Sequence, residues 1–167
     1  MIVNNFGIQL IQEEESKKMF DLSGQKFLSD LEGVRYTSYK DTGGVWTIGR
    51  GIIRYEDGKK VQPGDTITKE REQKLFMNTL QGYVDNVNKN VKISLKQNQF
   101  NALVSFCYNV GIGAFNKSTL LKKVNINPND KEIRAQFMRW IYDNGKPILG
   151  LKNRRKKEAD LYFLNTI

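Results

Sequence analysis

Glu32, Asp41 and Thr47 are the residues whose types and spacing best suit acid–base chemistry: a carboxyl where a helix should end, then a second carboxyl and a hydroxyl on the hairpin that follows. Cleaving a glycosidic bond needs one carboxyl protonated to donate to the leaving oxygen and a second, ionised, to handle water or the anomeric carbon. Glu32 lies between Leu31 and the start of an apolar strand, where partial loss of water favours the neutral form a donor must have. Asp41, beside a polar turn with two glycines, should stay ionised. Thr47 faces back across the hairpin, where its hydroxyl can help hold a water. Plainer readings stand beside these. Asp before Thr-Gly-Gly is a common turn former, Glu32 could be a solvated residue at a helix end, and Thr47 a strand former. The nine-residue gap between the acids does not bring them together, because a straight strand advances about 3.3 Å per residue. The chain must bend for a site to form.

The elements that would position these groups are legible as changes of period. Ile8, Leu10, Ile11, Met19 and Phe20 around the acidic Glu13 to Glu15 suggest a short amphipathic helix over residues 6–20. A second helix should open near Ser23, carry Phe27, Leu28 and Leu31 on one face, and stop after Glu32, where Gly33 can take a left-handed conformation. VRYTSYK and VWTIGRGII, on either side of the turn DTGG, form a hairpin. A turn at EDGKK leads to a third short strand or loop, and Pro63-Gly64 ends the sheet region. Thr68 should cap a long helix toward residue 90, with Glu70 and Glu72 in the first turn where the helix dipole favours acids. Helices are expected over 96–108, 115–124, 128–143 and 153–164. The fold class is α+β: a small lobe with a short antiparallel sheet, a long connecting helix and a helical C-terminal lobe. The division expected is 1–22 as an N-terminal extension and 23–167 as the main domain, with the sheet-bearing lobe over about 34–64 and the helical lobe over about 68–167.

Composition narrows the chemistry further. The 167 residues suffice for one domain, or two small lobes sharing a helix, around a real core. There is no histidine, which removes Ser-His and Cys-His pairs, histidine-ligated metals and a histidine base. Carboxylates are then the natural acid–base groups. The one cysteine, Cys107, sits in the apolar run ALVSFCYNVG and reads as a buried small side chain rather than a reactive thiol. Basic residues number 27 against 18 acidic, a net +9 and a pI near 9.6, which suits an anionic partner such as nucleic acid or a bacterial envelope. No apolar stretch approaches the roughly 20 residues of a membrane span, and MIVNNFGIQLIQEEESKK has neither a basic start nor the unbroken apolar run of a leader. The expectation is a protein made soluble in a cytoplasm, which reaches any target outside by another route.

LEGVRYTSYKDTGGVWTIGRG (residues 31–51) resembles the signature of phage-type lysozymes, a Glu-Gly pair followed at fixed spacing by Tyr-x-Asp and then Gly-x-x-Thr-Ile-Gly-x-Gly. DTITKEREQKLF (65–76) is similar to the opening of that family's interlobe helix, and QFNALVSFCYNVGIGAFNKSTLL (99–121) to its helical core and cleft wall. GLKNRRKKEADLYF (150–163) looks like its C-terminal Gly-Leu-x-Asn-Arg-Arg-x-x-Glu motif. The resemblance runs from about residue 23 to the end. It implies that Glu32 is the general acid, that Asp41 positions the attacking water and that Thr47 supports it. It implies further that Arg154 pairs with the glutamate across the cleft, and that Asn109 and Tyr108 stand where the family contacts sugar. A cation beside Glu32 favours the carboxylate while burial favours the acid, so the balance between them stays open. By itself the basic run Arg154, Arg155, Lys156 and Lys157 reads as a solvated or phosphate-binding helix face, and Trp46 as packing rather than a sugar platform.

The chain departs from the family pattern twice. Ile52 stands where the family usually has a histidine that supports a polar contact between lobes, which bears on packing and stability rather than on catalysis. Residues 1–22 have no counterpart and could pack on the domain or bind a partner. The resemblance implies a muramidase acting on bacterial peptidoglycan, with inversion, and with the Glu32 and Asp41 carboxyls about 6.5–9.5 Å apart to leave room for water. It implies no metal or organic cofactor, no nucleic acid, no stable membrane insertion, and a monomer. Two rivals stay open: a glycan-binding or scaffolding module without turnover, and a nucleic-acid binder resting on charge alone.

Overall fold

The computed structural model describes residues 17–165. The helix expected over 6–20 therefore lies largely outside the described residues, and Lys17 to Phe20 are not helical. Helix α1 (Leu22–Glu32) opens close to the expected Ser23, capped by Asp21: its carboxylate accepts the Gly24 N–H at 2.9 Å and also the Asn101 side-chain amide at 2.8 Å, pinning the cap to the helical body. The helix ends at Gly33, where φ is +65°.

Strands β1 (Arg35–Lys40) and β2 (Trp46–Gly49) form the antiparallel hairpin, with Tyr39 opposite Thr47 and Lys40 opposite Trp46. β2 is shorter than the apolar run suggested. Gly49 and Gly51 both have positive φ, and they reverse the chain so that Ile52 pairs back onto Ile48 through two backbone hydrogen bonds. The expected third strand reduces to isolated pairings, Arg54 with Lys60 and Thr37 with Thr66.

Helix α2 (Lys69–Asn90) opens at Thr68, whose hydroxyl accepts the Arg71 N–H at 3.2 Å. At about 1.5 Å per residue it is about 33 Å long. Leu75, Phe76, Leu80, Val84 and Val87 form its buried stripe, which spans from the sheet region to the helical part. There α3 (Gln97–Val110) is the central helix, buried from Asn98 to Cys107, with α7 (Leu149–Tyr162) and α2 against it. Its Phe106 meets Phe115, Phe137 and Trp140 edge-on at 5.4–6.3 Å, a favoured arrangement of aromatic quadrupoles. Burial pushes the Cys107 thiol up to about 12, in keeping with a packed rather than reactive side chain.

Two expected helices are corrected. The one over 115–124 is two, α4 (Ile112–Lys117) and α5 (Thr119–Ile126). Ser118 divides them: its hydroxyl accepts the Leu121 N–H at 3.1 Å, and its extended backbone ends one helix to cap the next. The one over 128–143 is only α6 (Ile133–Met138), followed by a small hairpin of β3 (Tyr142–Asp143) and β4 (Lys146–Pro147). Asn144 and Gly145, both at positive φ, make the tight turn that matches strand twist and cannot continue a helix. α7 starts ahead of the expected residue 153, directly after that hairpin. No helix among the described residues is long and apolar enough to cross a membrane.

Candidate active site

Glu32 is the last residue of α1, and Gly33 behind it turns the chain into β1, so the carboxylate stands where sheet and helices meet. Its side chain is 17% exposed. Oε1 accepts from Arg154 Nη1 at 2.5 Å. Oε2 faces the Gly49–Gly51 turn: a Cβ built on Gly51 would lie 3.7 Å from it and 3.6 Å from the Tyr108 hydroxyl oxygen.

Arg154 is held on the opposite side by α3 and its own helix. Its Nε donates to Glu158 Oε1 at 3.0 Å and its Nη2 to the Ser105 carbonyl at 3.2 Å. Glu158 is wholly buried and also accepts from Ser105 Oγ at 2.8 Å and from Arg155 Nη1. Arg155 in turn donates to the Asn109 side-chain oxygen and to the Trp140 carbonyl. Charges of alternating sign thus run from Glu32 through Arg154 and Glu158 to Arg155, as buried ions require when no water solvates them. Burial opposes the charge on Arg154, but the carboxylates of Glu32 and Glu158, by charge and by hydrogen bond, outweigh it and raise the guanidinium above its ordinary value. The basic run read as a solvated face is therefore split: Arg154 and Arg155 point inward, while Lys156 and Lys157 are exposed.

On the hairpin, Asp41 follows β1, is exposed, and accepts the Val45 N–H through Oδ1 at 2.8 Å. Its backbone closes the same turn, with its N–H donating to the Val45 carbonyl at 3.0 Å. The turn-forming reading of Asp41 is thus realised, with one carboxylate oxygen occupied by it. Thr47 is buried and donates its hydroxyl to the Val45 carbonyl at 3.0 Å, which leaves the hydroxyl lone pairs to accept. Tyr39 lies opposite Thr47 on this side. Its hydroxyl is shifted upward by burial first and then by the charge of Glu32, with Arg35 opposing and Asp41 adding to the rise. Both acids therefore act on one ring.

Asn109 and Tyr108 have different surroundings. Asn109 is exposed and shares a groove of about 580 Å³ with Thr42 and Gly43 of the hairpin turn and Trp140 and Tyr142 of the helical part. The Tyr108 hydroxyl instead donates to the Arg50 carbonyl at 2.5 Å, and its ring rests on Phe76 and Tyr83. Burial, then the charge of Glu32, pushes that hydroxyl well above the ordinary phenol range.

Arg50 was not singled out from sequence, and Glu72 was assigned only a helix-dipole role. They form a buried two-pronged pair: Arg50 Nε to Glu72 Oε1 at 2.9 Å and Nη2 to Oε2 at 2.8 Å, with the Arg50 N–H also donating to Oε1 at 3.1 Å. This pair is a polar tie between the sheet region and α2. Ile52, at the position of the family's histidine, is an apolar core residue, 1% exposed. The legible signal for Arg50 was a cation bracketed by two glycines. Glu158 was visible only as a letter of the C-terminal motif.

Comparison with known proteins bears on the family and the fold. The family model described as phage lysozyme matches residues 29–158. The chain is 39% identical over 146 residues to an endolysin of Bacillus phage PZA, covering 86% of this chain and 55% of that one. It is 36% identical over 140 residues to a SAR-endolysin of Enterobacteria phage P21, covering 84% and 82%. The chain thus spans about half the length of the first curated relatives it matches. Among solved structures, the endolysin from Escherichia coli O157:H7 phage FAHEc1 superposes with a TM-score of 0.80 at 36% identity, covering 87% of this chain and 94% of that one.

Proposed function

Because the chain belongs to the phage lysozyme family, we propose that it is a muramidase, hydrolysing the β-1,4 bond between N-acetylmuramic acid and N-acetylglucosamine in bacterial peptidoglycan and so lysing the host. Glu32 donates the proton to the leaving oxygen. Asp41 and Thr47 hold the attacking water on the opposite face of the sugar, which makes the reaction inverting. Arg154 fixes the Glu32 carboxyl from behind, Asn109 lines the path of the glycan, and Tyr108 supports the site from beneath the Gly49–Gly51 turn. The observation that carries this reading is the partly buried Glu32 at the meeting of sheet and helices, tied at 2.5 Å to an arginine that is itself locked by buried Glu158. A preorganised acid of this kind is worth about 10²–10⁴ in rate.

The catalytic unit is residues 23–167, with the sheet-bearing lobe over about 34–64, the helical lobe over about 68–167 and residues 1–22 as an extension. It acts as a monomer, starts from the host cytoplasm and meets the wall on release. The test compares wild type with Glu32→Gln on purified peptidoglycan. Folded variant should release no reducing ends, and wild type should release ends whose first-formed anomer is inverted. A folded Glu32→Gln protein that still clears cell-wall suspensions defeats the assignment.

A further inference from the structure

We propose that Arg50 is a positioning residue for Glu32: it clamps the Gly49–Gly51 turn, and that turn is the wall beside Oε2 of the acid. This inference rests on the reading of Glu32 as proton donor.

Three grips converge on Arg50. Its guanidinium is bound by both oxygens of Glu72 on α2 and lies 3.8 Å above the Phe76 ring centre. Its Nη1 donates to Ser29 Oγ at 2.8 Å, and Ser29 lies three residues before Glu32, one turn back on the same face of α1. Its carbonyl is taken by the Tyr108 hydroxyl at 2.5 Å. One residue thereby joins the last turn of α1, the start of α2 and the central helix α3.

The backbone around it is shaped to be gripped. Gly49, at φ +60°, leaves no room for a side chain, because a Cβ there would sit 2.7 Å from Glu72 Cγ. Gly51, at φ +82°, keeps the space beside the Tyr108 hydroxyl and Glu32 Oε2 open, since a Cβ there would sit 3.6 Å and 3.7 Å from them. Arg154 restrains only Oε1. The second oxygen faces the turn, and the turn lies where Arg50 holds it. Loosening the clamp lets water in beside the acid and widens its range of orientations, while Asn109 and the hairpin turn that line the groove stay in place. The consequence falls on turnover rather than on glycan binding.

The test uses the full chain carrying Arg50→Met with Glu72→Gln. This pair removes both buried charges together, keeps an amide oxygen for the position-50 N–H, and lays a thioether on Phe76. Steady-state turnover of soluble peptidoglycan fragments is measured beside circular dichroism and thermal unfolding. With the native spectrum retained, kcat should fall about tenfold or more, the scale expected for a misplaced catalytic group, with KM within about twofold of wild type. Tyr108→Phe, which loses only the hydroxyl, should lower kcat in the same sense and carries the test if the double variant does not fold. Wild-type kcat in a folded double variant, or a loss confined to KM in either protein, overturns the proposal. Glu32→Gln in the same assay separates the two ideas. If it is inactive while the clamp variants turn over normally, only the positioning role fails; if it is active, the acid assignment itself fails.

Discussion

Glu158 never reaches solvent, yet the arginine paired with Glu32 depends on it. Both its oxygens are committed, Oε1 to Arg154 and Ser105 and Oε2 to Arg155. Neutralising it leaves two guanidinium groups in the interior with Glu32 as the remaining carboxylate partner. Breaking a buried pair from one side typically costs about 3–5 kcal/mol, because the surviving charge keeps its desolvation penalty. Glu158→Gln has nearly the same shape, so the loss is electrostatic and not a cavity. It should lower the unfolding free energy by about 3 kcal/mol, measured by urea titration, and should lower activity as well, because Arg154 loses the support that aims it at Glu32. A Glu158→Gln protein as stable as wild type would mean that the network carries little net energy. Arg50 and Glu72 pose the same problem for a reader of sequence. Glu72 in a first helical turn has a sufficient local explanation in the helix dipole, so nothing local announces that it is 2% exposed and bound to a residue 22 positions earlier.

Elements were legible where their signals are local. Thr68 announces α2 by its hydroxyl and the acids behind it, Gly33 stops α1, and the DTGG turn sets the hairpin register that puts Thr47 opposite Tyr39. The misreadings have local causes too. Apolar spacing over 115–124 fits one helix, but Ser118 offers its own oxygen to the next turn and its hydrogen to the Phe115 carbonyl at 2.7 Å. Asn144-Gly145 is a strong hairpin signal that was outweighed by the helical spacing upstream of it. The two acids could not be related from sequence, because where Asp41 stands relative to Glu32 depends on the bend at Gly33 and on the hairpin folding back. Ser118→Ala tests the cap at this scale. It removes one acceptor and one donor from a buried site, and it should cost about 1 kcal/mol, the usual worth of a helix N-cap, seen as a lowered thermal midpoint. Ser118→Thr, which keeps the hydroxyl, should recover part of that loss; no difference between the two would show that the break is held by packing alone.

For the molecule as a whole, the absence of histidine shapes the pH dependence of stability. No side chain has an ordinary titration between the carboxylates and the thiol, so the unfolding free energy should be nearly flat from about pH 6 to pH 8. On the alkaline side, the Cys107 thiol is held up to about 12 by burial, against an ordinary value of 9.0. Tyr108 and Tyr162 are likewise raised by burial. A group whose folded value is raised contributes stability that is complete below its unfolded value. That stability is lost as pH climbs toward the folded value, because the unfolded chain sheds its proton first. The plateau should therefore end near about pH 9 and fall steadily toward about pH 12. On the acid side the sign reverses. The Gln62 N–H and the Tyr55 hydroxyl hold the Asp65 carboxylate below its ordinary range, so its contribution is present at neutral pH and disappears as pH falls through that range. Urea unfolding at closely spaced pH values, at constant ionic strength because the chain carries +9, measures the whole curve. Cys107→Ala gives the assignment its control. It should be less stable at neutral pH through lost packing, yet lose less on going from about pH 8 to about pH 11 than wild type. Parallel curves for the two proteins would remove the buried thiol from the account and leave the tyrosines to explain the alkaline limb.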